Sequence, residues 1–406
     1  MSRVLGIYVH LPFCCSKCDY CDFYSLTGKE PWMDVYQKAL IAQIKTMAPR
    51  LRGYQVDTIY FGGGTPSYYG EKRLRELLIA LRRHLTVCRT PEITLECNPE
   101  SVDKKSMLRL RRAGFNRISL GMQSADDAQL QDLHRPHNFT QVVEAVAIIR
   151  EAKIQNLSLD LIYGLPGQTM EGWKETLDKA IALEPEHLSA YGLKVEEGTQ
   201  LASRVERGEK LPDDDLQADM YLYMVSRMRS AGYRQYEISN FSKTGKESRH
   251  NLKYWMGREY VGFGPGAHSD FGGSRFSCHR DLDGYIAGMQ RGDSIIDDTR
   301  EISKAERAQE YLMLRLRTRR GIEEWEYRRE FTLNFEPIQR KLELFEARGL
   351  AVQSGHRWGL TPEGFLVSNI LIGELLDSQG ALPQELLQKK PGDLLSFEHE
   401  KWTGEH

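Results

Sequence analysis

Six short runs of apolar and β-branched residues recur through the first half of the chain, and a stretch of helical period follows most of them. The runs are Gly6–His10, Thr58–Phe61, Ile93–Glu96, Arg117–Gly121, Leu157–Asp160 and His187–Tyr191. Between them lie the amphipathic stretches Met33–Met47, Lys72–Leu85, Lys104–Ala113, Gln141–Ala152 and Gly172–Leu183. Strands that alternate with helices dictate βαβ units and a parallel sheet. Such crossovers are right-handed, so six in series curl the sheet into an arc. The fold class predicted is α/β, a partial (β/α)6 barrel rather than the eight-unit closed form.

Beyond about Leu201 the pattern changes. A polar helix spans Asp213–Ser230, and a stretch rich in glycine and aromatic residues follows from Tyr233 to Phe276. Helices are expected over Glu301–Arg317 and near Pro337–Arg348, and Leu350–Leu360 reads as a hairpin. Helix, helix and hairpin together predict a small C-terminal α+β domain of winged-helix type. The domains expected are 1–235 for the barrel, 236–298 for a connecting segment, 299–380 for the winged-helix-like domain and 381–406 for a polar tail. With 406 residues and 40% hydrophobic content, the chain can bury a large core and a second smaller one.

Charge excludes some partners. Lys and Arg total 55 against 57 Asp and Glu, so no bulk field draws the chain to nucleic acid, even with a winged-helix-like domain. No apolar run reaches the roughly 18 residues of a transmembrane helix. The first residues read directly into a strand without the apolar core of a signal peptide, which predicts a cytoplasmic protein.

Four of the seven cysteines crowd into eight residues, Cys14-Cys15-Ser16-Lys17-Cys18-Asp19-Tyr20-Cys21, directly after the first strand. Crowding and an odd count argue against a disulfide framework. Cys88, Cys97 and Cys278 are isolated, as small buried hydrophobes are. Cys14, Cys18 and Cys21 form C-x3-C-x2-C, and Cys15, adjacent to Cys14, points differently. Three thiolates leave one iron of a [4Fe-4S] cube without a protein ligand, open to the amino and carboxylate groups of S-adenosylmethionine (SAM). A zinc site is the alternative, and it would want a fourth ligand.

At this point the sequence resembles a known family. The lead Tyr8-x-His10-x-Pro12-Phe13-Cys14 into C-x3-C-x2-C is similar to the radical SAM signature. From about Gly6 to Gly364 the chain resembles the HemW heme chaperones, relatives of oxygen-independent coproporphyrinogen III oxidase. The resemblance implies a set of residues around SAM, carried at the ends of the strands. In Phe61-Gly62-Gly63-Gly64-Thr65-Pro66, the residues Gly63, Gly64 and Thr65 meet the methionine amino group. Glu96, Gln123 and Asp160 lie on the ribose side, and Arg135 pairs with the carboxylate. Tyr20 packs on adenine, Lys194 contacts it through its backbone, and Tyr8 stands beside the cluster. Singly, each of these residues reads as readily as a cap or surface group.

The same resemblance separates chaperone from oxidase. The oxidases carry a fourth cysteine two residues after the third, where this sequence has Phe23, and an N-terminal extension, where only seven residues precede Tyr8. His250-Asn251-Leu252-Lys253-Tyr254-Trp255 matches the HNxxYW motif linked to heme binding in the chaperones, implicating His250, Asn251, Tyr254 and Trp255. An imidazole can ligate heme iron and the aromatics can face a porphyrin, although a packed aromatic turn reads the same way. His268 is a competing ligand. The function expected is heme binding and delivery to a heme-accepting protein, with an electron donor such as a flavodoxin or ferredoxin and peripheral contact with membrane-bound heme proteins. Oxidative decarboxylation of coproporphyrinogen III is the alternative.

Overall fold

A computed structural model describes residues 3–379 of the chain, so the polar tail expected over 381–406 lies outside the described residues. Its main element is one twelve-stranded sheet. The strands are β1 (Arg3–Leu11), β2 (Tyr54–Gly63), β3 (Val87–Cys97), β4 (Arg117–Gln123), β5 (Leu157–Tyr163), β6 (His187–Gly192), β7 (Arg234–Gln235), β8 (Asn240–Ser242), β9 (Tyr260–Phe263), β10 (His268–Phe271), β11 (Ser274–Cys278) and β12 (Ile296–Glu301). Their spatial order is β12-β11-β10-β9-β1-β2-β3-β4-β5-β6-β8-β7. β1 to β6 are parallel and neighbour each other in chain order, the arc of six βα units expected.

The sheet does not stop at six strands. β9 lies parallel beside β1, with Gly6 opposite Tyr260 and Val9 opposite Phe263, and β10 to β12 continue antiparallel from it. At the other edge β8 and β7 add antiparallel to β6. The segment 236–298, expected as a connector, therefore supplies β8 to β11 and the start of β12 to the same sheet. Burying both edges of the arc removes two open ladders that would otherwise pair with other chains.

The strands bury one alternating set of side chains under helices and turn the other set inward. In β1, Leu5, Ile7, Val9 and Leu11 join the large apolar core, and in β4 Ile118, Leu120 and Met122 do the same. The alternate residues face the concave side, and they are polar: Thr58, Thr94, Glu96, Arg117, Ser119, Ser158, Asp160, His187 and Ser189. A strand with period 2 presents its two sets to opposite faces, so this alternation makes the lumen a polar chamber instead of a packed apolar one. The helices start where short polar residues cap them. Asp103, Asn138 and Thr169 each accept a hydrogen bond from the first turn, and Asn138 forms a reciprocal capping box with Gln141.

The C-terminal part packs a helix (Lys304–Arg315) on a three-stranded sheet of order β13-β15-β14, formed by β13 (Ile322–Glu323), β14 (Ala351–Ser354) and β15 (Arg357–Leu360). The expected hairpin is β14 and β15. A helix over Glu324–Phe331 and the short strand β13 are additional to the sequence expectation. Tyr327, Phe331, Phe335 and Phe345 bury the helices against the sheet. Among the described residues no helix is long and apolar enough to cross a membrane.

Candidate radical SAM site

The cysteine loop leaves β1 at its carboxyl end and lies across the mouth of the lumen. Backbone pairing fixes it there: Gly64 N–H donates to Leu11 O (2.9 Å) and Thr65 N–H to Phe13 O (2.8 Å), tying the loop to the end of β2. This approach needs glycine. A Cβ on Gly64 would lie 2.7 Å from Phe13 O and 3.0 Å from Cys14 Sγ, and one on Gly63, whose φ is +113°, would strike the His10 ring.

Cys14, Cys18 and Cys21 all border one cavity of about 250 Å³ at the mouth of the arc. Cys14 and Cys18 are buried, Cys21 is half-buried and Cys15 is exposed, its Sγ 3.8 Å from Glu100. Thr65 Oγ1 lies 3.4 Å from Cys14 Sγ, and the Arg135 guanidinium donates to Cys18 Sγ at 3.3 Å. Among the described residues no three His, Cys, Asp or Glu side chains converge closely enough to hold a single metal ion. Three thiols spread around a cavity are the donor set of a bulky iron-sulfur cube, and they leave the zinc alternative without a fourth ligand.

The same cavity is lined by Tyr20, Gly63, Gly64, Thr65, Glu96, Gln123, Arg135 and Asp160, eight of the ten residues expected around SAM. Glu96 accepts from Tyr60 OH (2.7 Å) and Gly63 N–H (3.2 Å). Asp160 accepts from Ser119 Oγ (2.9 Å) and Ser158 Oγ (3.1 Å). Burial, with the Asp160 charge adding to it, pushes Glu96 up to about 8, and burial pushes Asp160 up to about 6 against the lowering pull of Ser119 and Arg117. Gln123 sits at φ 64° where a bulge interrupts the β4–β5 pairing. A non-glycine residue held in the left-handed region is strained, and such strain gathers at functional sites. Arg135 donates to Asn98 Oδ1 (2.9 Å) and Gly121 O (3.3 Å), while its Nε is buried with no partner. An orphaned guanidinium N–H in a cavity suits a ligand carboxylate.

Two residues expected near SAM stand apart from this cavity. Tyr8 is buried deeper in the lumen, its hydroxyl 3.0 Å from His10 Nδ1 and its ring stacked near Tyr60. The Lys194 ammonium pairs with Glu196 at 3.0 Å outside the cavity wall. Conversely, Asn98, Arg117, Ser119 and Ser158 also line the cavity. Polar alternation within β4 and β5 marks Arg117, Ser119 and Ser158, and Asn98 follows directly on the end of β3.

The His250 motif forms a second pocket that adjoins the first. His250, Asn251, Tyr254 and Trp255 lie on the short helix Arg249–Trp255, capped by Ser248. The His250 ring is buried, with Nδ1 2.8 Å from Thr58 Oγ1 and Nε2 2.8 Å from Tyr254 OH, and it stacks on Tyr60. The chamber it shares with Tyr8, Tyr60, Asn240 and Trp255 measures about 150 Å³. The pocket is open on one side, so this volume is the part enclosed by the walls. Both imidazole nitrogens are thus engaged inside the protein, and a substitution at His250 disturbs packing as well as any ligand role. Tyr60, Asn240 and Asn251 border both this pocket and the SAM cavity. His268 is half-buried at the start of β10.

The arc fold, the polar lumen and the three-cysteine loop over its mouth define a radical SAM protein, a class to which a [4Fe-4S] cluster and SAM belong. The sequence model of the Radical SAM superfamily matches residues 8–180, and that of the HemN C-terminal domain matches residues 302–367. Heme chaperone HemW of Bacillus subtilis is 33% identical over 91% of this chain and 98% of its own length. HemW of Mycobacterium tuberculosis is 35% identical over 92% of this chain and 95% of its own, and HemW of Escherichia coli 33% over 91% and 97%. The chain belongs to the HemW family. The solved coproporphyrinogen III oxidase HemN of Escherichia coli shares the fold, with a TM-score of 0.80 at 22% identity over 92% of this chain and 90% of that one.

The raised Glu96 carboxyl has a measurable consequence. Its folded value near 8 lies above the ordinary 4.5, so the folded protein binds this proton more tightly than the unfolded chain. Below about pH 4.5 both forms are neutral, and stability falls as pH rises from there through 8. Glu96→Gln removes the penalty. In protein free of SAM, its unfolding free energy from urea titration, relative to wild type, is expected to rise between pH 5 and pH 8, by on the order of 2 kcal/mol for a half-buried group. A difference that stays constant with pH would show that Glu96 is ionised in the free protein throughout.

Proposed function

We propose that this chain is a heme chaperone that binds heme and passes it to an acceptor protein, with the cluster and SAM supporting the transfer. The observation that carries this reading is likeness to HemW proteins across more than nine-tenths of both chains, together with Phe23 where the oxidases have a fourth cysteine. In it, Cys14, Cys18 and Cys21 ligate the cluster, which supplies an electron-transfer centre with one open iron. Arg135 takes the SAM carboxylate, and Gly63, Gly64 and Thr65 bring backbone groups to its amino end. Glu96, Asp160 and Gln123 hold the ribose hydroxyls, and Tyr20 covers the adenine beside Leu133 and Ile162. A small one-electron carrier of the flavodoxin or ferredoxin type serves as reductant.

The experiment is done on anaerobically purified protein with its cluster reconstituted. Wild type is expected to bind heme saturably and to restore an apo heme protein. It is expected to form no protoporphyrinogen from coproporphyrinogen III when supplied with SAM and reductant. Accumulation of protoporphyrinogen would overturn the chaperone reading in favour of the oxidase.

A further inference from the structure

We infer that the cleft between the helix Arg249–Trp255 and the helix Lys304–Arg315 receives a flat apolar ring bearing carboxylates, heme with free propionates, whose acid edge lies on Arg258 and Arg315. The inference rests on the chaperone reading and names the place of its ligand, outside the His250 chamber.

The cleft measures about 380 Å³, more than twice the His250 chamber, and Trp255 borders both. Its apolar wall is Trp255, Met256, Tyr311, Leu314 and Phe331. At its base Arg315 is 3% exposed, and its Nη1 is buried without a hydrogen-bond partner while Nη2 reaches Glu326 Oε1 at 3.1 Å.

The neighbouring acids are already committed. Asp270 and Glu310 are matched by Arg275 and Arg307 in a closed square: Arg275 lies 2.9 Å from Asp270 and 2.8 Å from Glu310, and Arg307 3.2 Å from Glu310 and against Asp270. Glu259 accepts from Tyr54 OH (3.2 Å) and Gly272 N–H (2.8 Å), and Glu330 stands at the exposed rim. Glu326 is left to serve Arg315, Arg320 at 3.9 Å and the Tyr311 hydroxyl at 3.0 Å. Burial, with Arg258 and Arg320 adding like charge, holds the Arg315 guanidinium below its ordinary value. A buried guanidinium short of anions, beside an exposed Arg258 and an aromatic wall, is complementary to a carboxylate on an apolar plate.

Arg258 is exposed, so charge reversal there leaves the core intact. Full-length protein is titrated with ferric heme and with heme dimethyl ester, whose propionates carry no charge. Arg258→Glu is expected to weaken heme binding about tenfold or more, and to leave the ester's weaker binding unchanged. Arg340→Glu makes the same charge change outside the cleft, on the exposed face of the helix Glu336–Ala347, and is expected to bind heme like wild type. Equal heme affinity in wild type and Arg258→Glu would overturn the inference. So would an ester that binds wild type as tightly as heme, or an equal loss in Arg340→Glu. Wild type that binds no heme saturably would overturn the chaperone reading itself.

Discussion

Cys14→Ser, Cys18→Ser and Cys21→Ser are each expected to yield protein with almost no acid-labile sulfide or iron and none of the broad visible absorbance of an iron-sulfur cluster. Three thiolates from this loop would be all the protein ligands of a [4Fe-4S] cube, so loss of any one leaves two irons open. Serine does not substitute, because its hydroxyl is a poor match for the soft thiolate that such iron selects. Cys14 and Cys18 are buried against Thr65 and Arg135, so no other thiol can swing into their places without moving the loop that Gly64 and Thr65 hold. Cys15→Ser is the control. It is exposed and directed towards Glu100, and its variant is expected to keep iron and sulfide near the wild-type content. Loss of the cluster in Cys15→Ser with retention in Cys14→Ser would move the ligand register by one residue.

Arg135→Ala is expected to weaken SAM binding about 10- to 100-fold, on the order of 1.5–3 kcal/mol, in protein whose iron content is unchanged. The guanidinium is held in a fixed orientation by Asn98 and Gly121, and its unpartnered Nε is the donor left for a ligand carboxylate. Its contact with Cys18 Sγ means that iron must be measured in the same samples. Arg135→Lys is expected to recover only part of the affinity, since an ammonium cannot make the paired planar contact. An isothermal SAM titration that does not change for Arg135→Ala would remove this residue from the site.

The chemistry of the mouth was legible in the residues because its determinants are local. C-x3-C-x2-C closes within eight residues, and the glycine run that approaches it is contiguous, so both can be picked out as motifs, although spacing alone left zinc as an alternative and the resemblance supplied SAM. The six βα units are legible for the same reason, since alternation and helical period are properties of short windows. What the sequence could not specify was which distant segments complete these units. β9 pairs with β1 across some 250 residues, and nothing in Tyr260–Phe263 marks it as a parallel partner of Gly6–Val9. That pairing draws the helix Arg249–Trp255 against β2 and sets His250 between Thr58 and Tyr254, a placement that the motif by itself does not specify. The left-handed turn at Gln123 follows from a bulge in the β4–β5 ladder, and the meeting of Arg258 with Arg315 from docking of the C-terminal helix. The sequence by itself determined the cofactor-binding loop and the parallel arc. Only tertiary structure decided which polar side chains face a common space, because burial and charge are shared among residues far apart in the chain.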